Sequence, residues 1–275
     1  MNIRDRLEAR SAHYSFRAKL AVVWILIFVA LAVLFAAFRF DTAFMLQWLP
    51  FILAGVPLTI LISIMGILLA IPLALLGALG RLSRNPVFNG ISGFYVSFIR
   101  GTPLIVQIFF IYLGLPQLAQ YAPGPLQGLF ILGTITSGVL ALGINYGAYM
   151  AEIFRAGIQS VGHGQVEAAQ ALGMTRAQTM RRIVLPQAVR VIIPPTGNEF
   201  IAMIKDSSLL GIVGVQEVFF RASKIGRQYF QSLETLVVAA LIYWILTSIF
   251  SYFQARLEKR LERGYVREGS GPHGH

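Results

Sequence analysis

The chain has 275 residues, 56% of them hydrophobic and only 13% charged, and its mean hydropathy is positive. A soluble domain of this length needs far more charge to cover its surface, so composition excludes that class and points to an integral membrane protein. There is no cysteine, hence no disulfide or thiolate chemistry, and the net charge of +11 is read as basic cytoplasmic loops rather than as a nucleic-acid surface.

In chain order, Arg4, Arg6, Arg10, Arg17 and Lys19 precede an uncharged run from Leu20 to Phe38. At about 20 residues the run is long enough to span a bilayer and too long for a removable signal peptide, so a first transmembrane helix with a cytoplasmic N-terminus is expected. A second apolar block runs from about Phe51 to Leu79, with Pro57 and Pro72 as kink sites, and ends at Arg81 and Arg84. The third, about Ile91 to Leu115, is interrupted by Arg100-Gly101-Thr102-Pro103. Thr102 and Pro103 read as a cap and a first helical residue, so the helix is expected to break and restart there. An uncharged turn through Pro116, Pro123, Gly124 and Pro125 leads to a fourth block, Leu129 to Ala151. The fifth runs from Gln187 to about Lys205, and the sixth from about Leu236 to Phe253, ahead of a basic tail with Arg256, Lys259, Arg260, Arg263 and Arg267.

The expected fold is therefore all-α and polytopic, with about six transmembrane helices and both termini on one side. Three divisions are expected: residues 1–48 as N-terminus and extra first helix, 49–255 as transmembrane core, and 256–275 as a basic tail with a disordered end. The N-terminus, the loop after the second block, the loop between the fourth and fifth, and the tail hold 17 Lys and Arg, against 5 on the opposite loops, with Arg100 unassigned. The basic side is cytoplasmic by the positive-inside rule.

The loop between the fourth and fifth blocks carries the densest local signals. Gln165 to Leu172 is a run of good helix formers, and Gly173 stands where a left-handed C-terminal cap needs a residue without a side chain. Thr175 and Gln178 have capping-box spacing, and Pro186 suits the first turn of a third helix. Glu167 is expected in the first turn of the first helix, favouring its dipole, with Ala168 and Ala169 forming a face narrow enough to enter a groove on a partner.

Written as a pattern, this loop is E-A-A-x3-G-x9-I-x-L-P, from Glu167, Ala168, Ala169 and Gly173 to Ile183, Leu185 and Pro186. It resembles, without a gap, the EAA loop of the permease subunits of bacterial ABC importers. Phe98-Ile99-Arg100-Gly101-Thr102-Pro103-Leu104, Asn145 to Arg155, Gly197-Asn198-Glu199-Phe200-Ile201 and Lys205-Asp206-Ser207-Ser208-Leu209 resemble the polar amino-acid branch of that family. The resemblance covers roughly residues 50 to 255. It implies a five-helix type I importer core plus one extra N-terminal helix, in a multi-pass protein of a bacterial inner membrane. The implied partners are ABC ATPase subunits, a second permease copy or related chain, an extracytoplasmic substrate-binding protein, a polar amino acid and membrane lipid, with no nucleic acid. Glu167 to Leu172 would be the coupling helix seated in the ATPase.

Chemistry within the chain is sparse. No G-x4-G-K-[ST] phosphate loop surrounds Lys19, Lys205, Lys224 or Lys259, so ATP and Mg are expected in the partner ATPase, with no cofactor, metal or catalytic residue in this chain. Ionisable residues within apolar spans are the natural substrate-path candidates. Pro194-Pro195 lie about 12 to 14 Å along a helix from Pro186, near the middle of the hydrocarbon core. Thr196 and Glu199 repeat the capping-box spacing, which allows a second half-helix starting at the midplane, its free amides facing a carboxylate, with Asn198 beside it. A packed double-proline kink is the alternative.

Asn145, Tyr149 and Glu152 share one face of the fourth span, either lining a path or hydrogen-bonding between helices. Glu152 also pairs well with Arg155 or Arg100 near the cytoplasmic end. Arg100 and Thr102 complete the path candidates; Arg100 is either a partner for a buried carboxylate or a side chain snorkelling to the interface. Arg221 and Lys224, on one face beside Phe219 and Phe220, suggest a short interfacial helix that lies on the membrane or docks the binding protein. An ion-coupled carrier working alone and a non-transporting anchor or sensor are the rival classes. The first lacks an inverted repeat here, and neither explains the EAA pattern.

Overall fold

The computed structural model describes residues 16–262, and every regular element among them is helical. The helices are α1 (Phe16–Phe38), α2 (Thr42–Leu53), α3 (Val56–Leu82), α4 (Pro86–Gly101), α5 (Leu104–Phe109), α6 (Leu115–Ala119), α7 (Thr134–Gln159), α8 (His163–Ala171), α9 (Arg176–Thr179), α10 (Leu185–Asp206), α11 (Val218–Tyr229) and α12 (Ser232–Glu262). π-turns at Phe110–Gly114 and Met180–Val184 and 3-10 turns at Gly124–Leu129 and Ser207–Val213 join some of them. The chain divides into two compact units, Met1–Gln47 and Trp48–His275. The first holds α1 and the start of α2, and all that follows concerns the second.

Two helices, α3 and α12, are both long and apolar enough to cross a bilayer. The pair formed by α4 and the run from α5 to α6, bent by 108°, makes a third if it counts as one span. α7 and α10 have the length, 26 and 22 residues, but carry more polar side chains. Among the described residues composition thus marks two spans outright, three with the bent pair, against the six expected from the blocks.

The core forms where α3 lies against α7. Thr59, Ser63, Gly66, Ala70, Ala74 and Gly77 recur every three or four residues on α3 and are all buried. A methyl group added at Gly143 of α7 would fall 2.5 Å from Leu69 Cδ2, and one at Gly147 would fall 2.8 Å from both Leu73 Cβ and the Tyr95 hydroxyl. At Gly77 the same addition would meet Ala151 Cβ at 2.8 Å. In lipid no hydrophobic force drives helices together, so this close van der Waals contact supplies the attraction. The Tyr95 hydroxyl donates to Ile144 O at 2.8 Å and ties α4 to the same seam. The hydroxyls of Thr59 and Ser63 donate back to Gly55 O and Thr59 O, so the seam tolerates them.

Prolines explain the irregular turns. Each π-turn ends two residues before a proline, Gly114 before Pro116 and Val184 before Pro186. A proline lacks the N–H that would bond four residues back, and its ring collides with that carbonyl. Widening the turn relieves both problems, and Leu185 N–H donates to Met180 O, five residues back. The third helix expected at Pro186 is therefore no separate start: α9, the π-turn and α10 run on as one rod.

Two other expectations are corrected. α10 continues unbroken through Pro194 and Pro195, so no second half-helix begins at Thr196. The Gln254 amide of α12 donates to Pro194 O at 2.7 Å and fills the space above Gly197, which packs the proline pair into one rod. The break after Arg100 is present, but Thr102 does not start the next helix. Its hydroxyl donates back to Phe98 O at 3.0 Å, closing the C-terminal end of α4, and α5 starts after Pro103 without a side-chain cap. α12 extends to Glu262, so Arg256, Lys259 and Arg260 are helical. Arg263, Arg267 and the Gly-rich end, like Arg4, Arg6 and Arg10, lie outside the described residues.

Gly147→Leu tests the seam. The side chain has to displace Leu73 and the Tyr95 hydroxyl together, an overpacking cost of about 1–3 kcal/mol. The expected outcome is a lower melting midpoint of the detergent-solubilised protein than wild type, read by fluorescence-detected size exclusion after heating. An unchanged midpoint contradicts the packing.

Candidate functional site

The bend between α4 and α5 has no helical hydrogen bonds to hold it, so side chains must. Gln107, 8% exposed, supplies most of them. Its amide nitrogen donates to Ile99 O at 2.8 Å, Thr102 O at 3.1 Å and Thr102 Oγ1 at 2.8 Å, and its oxygen accepts from Asn145 Nδ2 at 3.0 Å. One glutamine thus fixes the bend internally and pins it to α7.

Behind the bend lies a cavity of about 500 Å³, lined by residues 100 to 104, by Asn145, Tyr146 and Tyr149 of α7, and by Glu199 and Asp206 of α10. Arg100 holds its guanidinium 5.2 Å from the centre of the Tyr149 ring, a cation–π contact. The Tyr146 hydroxyl donates to Asp206 Oδ2 at 2.8 Å. Charge of both signs, an amide and two phenols therefore face one space.

Of the expected path residues, Arg100, Thr102, Asn145, Tyr149 and Glu199 line this cavity, and Glu152, Thr196 and Asn198 do not. Glu152 sits two turns from Asn145 and accepts from Arg155 Nη2 at 2.6 Å, with Arg81 Nε at 3.5 Å. It joins the ends of α3 and α7, and Arg81 takes the place considered for Arg100. Thr196 buries a hydroxyl that finds no partner inside continuous helix, and Asn198 is exposed. Sequence reasoning missed Gln107 and Tyr146 as site residues and singled out Asp206 only within the stretch Lys205-Asp206-Ser207-Ser208-Leu209. Gln107 is a lone amide in an apolar run, and the Tyr146–Asp206 contact joins residues 60 apart.

At the other end of α7 and α10 lies the Glu167 loop, rooted by Ile158, Val161, Val184 and Ala188, with Leu82, Val166, Met180 and Ile192 against them. α8 ends as expected. Gly173 has φ +78°, Gly173 N–H donates to Gln170 O at 2.9 Å, and Met174 N–H to Ala169 O at 3.1 Å, the paired bonds of a Schellman turn. Thr175 and Gln178 form the expected capping box, with bonds of 2.8 and 3.3 Å. The amide of Gln187 reaches both Ile183 O and Gln165 Oε1, tying α10 to the start of α8. Two local readings change. α8 begins at His163, so Glu167 is in its second turn and gains little from the dipole. Ala169 is 4% exposed and faces this chain rather than outward, while Glu167, Ala168 and Leu172 are exposed. Ile183 and Leu185 are half-buried in the rod, and Pro186 is exposed.

α11 is built around a buried carboxylate. Glu217, fully buried, accepts from Phe219 N–H at 2.9 Å, from Phe220 N–H at 2.6 Å and from the Tyr243 hydroxyl. Burial pushes its carboxyl above the usual carboxylate range, and these three donors pull it back. Arg221 is turned inward, its guanidinium 5.0 Å from the Phe51 ring and bonded to Gln216 O at 3.0 Å, whereas Lys224 is exposed. Among the described residues no group of three His, Asp or Glu is arranged to hold a metal ion.

Comparison with known proteins places the chain in a family. Residues 66–263 match the family described as binding-protein-dependent transport system inner membrane component. The probable amino-acid permease protein YxeN of Bacillus subtilis (strain 168) is 38% identical over 82% of this chain and 97% of its own length. The glutamine transport system permease protein GlnP of Escherichia coli (strain K12) is 34% identical over 82% of this chain and 99% of its own length. A solved crystal structure of an amino acid ABC transporter with histidines superposes with a TM-score of 0.72 at 35% identity, covering 81% of this chain and 99% of that one. Given the matched core, the capped loop and this breadth of similarity, the chain belongs to the family of binding-protein-dependent transport system inner membrane components.

Proposed function

We propose that this chain is the membrane-spanning permease subunit of an ATP-driven importer for a polar amino acid, powered by a separate ATPase. The observation that carries this reading is the sharing of two helices. α7 and α10 flank the Glu167 loop at one end and supply Asn145, Tyr149, Glu199 and Asp206 to the cavity further along. Force applied to α8 reaches the cavity through its capped turns and apolar root and then along the rods α7 and α10.

The loop is shaped to receive that force. Glu167, Ala168 and Leu172 face outward, Leu172 with 84% of its surface exposed, while Ala169 and the apolar root fasten the loop to its own chain. An exposed leucine at a helix end, next to a stiff glycine turn, suits insertion into a cleft on a partner. On the basic-loop count, this loop and both termini face the cytoplasm, where the ATPase holds ATP and Mg. ATPase closure pulls on α8, tilts α7 and α10, and changes access to the cavity.

A second permease copy or related chain completes the pathway, and a binding protein delivers the amino acid from outside. Lys224 on α11 is available to that protein, with Arg221 holding the helix in position. Within the membrane core (49–255), Arg100, Thr102, Asn145, Tyr149 and Glu199 form the substrate path together with Tyr146 and Asp206.

Three variants separate coupling from the path. Gly173→Pro cannot adopt the positive φ of the turn, and Leu172→Glu places a charge where an apolar contact is needed. Each is expected to reduce ATP-driven uptake in proteoliposomes by about tenfold or more while the protein stays inserted. Normal uptake by both contradicts the coupling role. Gln107→Met leaves the Asn145 amide and two bend carbonyls unmatched, at about 1–3 kcal/mol. Its expected signature is a raised KM for substrate with basal ATPase activity retained; an unchanged KM removes the bend from the path.

A further inference from the structure

A second cavity of about 500 Å³ lies between the end of α7, the loop helices α8 and α9, and Arg84 of the α3–α4 turn. Its charged lining is of one sign: Arg84, Arg176 and His163 reach it, and no described Asp or Glu does. The two ion pairs among the described residues use Arg81 and Arg155, both on Glu152, so neither cavity arginine has a described carboxylate within 4 Å. Gln159, also in the lining, commits its oxygen to Arg155 Nη1 at 2.6 Å, which leaves its NH2 group to donate. α8 starts at His163 with no side chain capping its first N–H groups, and such a helix end favours an anion. Val161, Val166, Met180 and Val184 add apolar surface to the same space. Arg84 stands two residues past Leu82, the end of a helix long and apolar enough to cross a bilayer, and so at the level of lipid phosphates.

We propose that this cavity binds the headgroup phosphate of an anionic phospholipid, drawn from the leaflet that the Glu167 loop faces. The phosphate takes the donors of Arg84, Arg176, His163 and Gln159, and the glycerol and first acyl carbons lie on the valines and Met180. A zwitterionic lipid offers the same phosphate, but its positive group finds only other cations in the lining, so a net negative lipid is preferred. The bound lipid bridges the α3–α4 turn and the loop. It does not compete with a partner seated on Leu172. On α8 the cavity residues His163, Val166 and Gln170 follow at intervals of three and four and share one face, whereas Ala168 and Leu172 lie about half a turn away from it. Glu167, one turn on from His163, does not line the cavity. The site stands on this geometry and does not rest on the importer reading.

The test is native mass spectrometry of the purified full chain in detergent, titrated with phosphatidylglycerol or with phosphatidylcholine. The expected result is a first phosphatidylglycerol bound at least about fivefold more tightly than phosphatidylcholine, a preference lost when Arg84→Gln and Arg176→Gln are combined. Lys259→Gln with Arg260→Gln removes as much charge from exposed positions on α12 and is expected to keep the preference. Arg84→Gln alone, at an exposed position, carries the comparison if the double variant fails to fold. Equal affinity for the two lipids overturns the proposal, as does an equal loss in the α12 variant, which assigns the binding to diffuse charge. Displacement of phosphatidylglycerol by excess inorganic phosphate makes a free anion the occupant and overturns the lipid assignment. The titration is repeated on the transporter assembled with its ATPase. Retained phosphatidylglycerol preference supports the site, and its loss assigns the cavity to the ATPase seat and overturns the proposal. None of these outcomes depends on ATP-driven uptake, so failure here leaves the importer reading to its own tests.

Discussion

Leu69 and Leu73 of α3 rest directly on Gly143 and Gly147 of α7, and the other features of the core depend on that contact. Two helices in lipid gain nothing from hiding apolar surface from water, so they associate only where their surfaces fit closely. Small residues at the crossing let the backbones approach, and Ala70, Ala74, Ala141 and Ala148 extend the fit. With α3 and α7 fixed, Tyr95 adds α4, and Met203 packs α10 against Gly66. The cavity is the space left where the bent α4–α5 pair cannot follow this close packing.

Polar groups inside the core fall into two classes by what they bond. Glu217 and Gln107 are saturated by this chain's own donors and acceptors, and Glu152 is held by two arginines. They fix the termini and bends of helices. Arg100, Glu199 and Asp206 keep charge facing an open space. In a low-dielectric setting the first class rigidifies, and the second makes up the charged part of the proposed substrate path.

Prolines and glycines set the mechanical character. Pro116 and Pro186 are each preceded by a widened turn, and Pro194-Pro195 are braced by Gln254, so the rods bend without breaking. Among the described residues, a span turns sharply only at Gly101-Thr102-Pro103, by 108°. On the proposed coupling, rods of this kind would carry displacement between the Glu167 loop and the cavity, which a flexible linker would absorb.

The sequence alone determined the all-helical membrane character, the positions of the apolar blocks, and the loop's cap at Gly173 and capping box at Thr175. These depend on composition and on interactions within four residues, which a linear reading contains. It also identified five cavity residues, because charge and amide groups stand out against an apolar background. Tertiary structure decided the rest. Gln254 reaching Pro194 keeps α10 whole, Ala169 turns inward on a packed root, Arg81 claims Glu152, and Tyr146 meets Asp206 across 60 residues. Each of these outcomes depends on how closely two helices approach, and that distance is set by side chains that are neighbours only after the chain has folded.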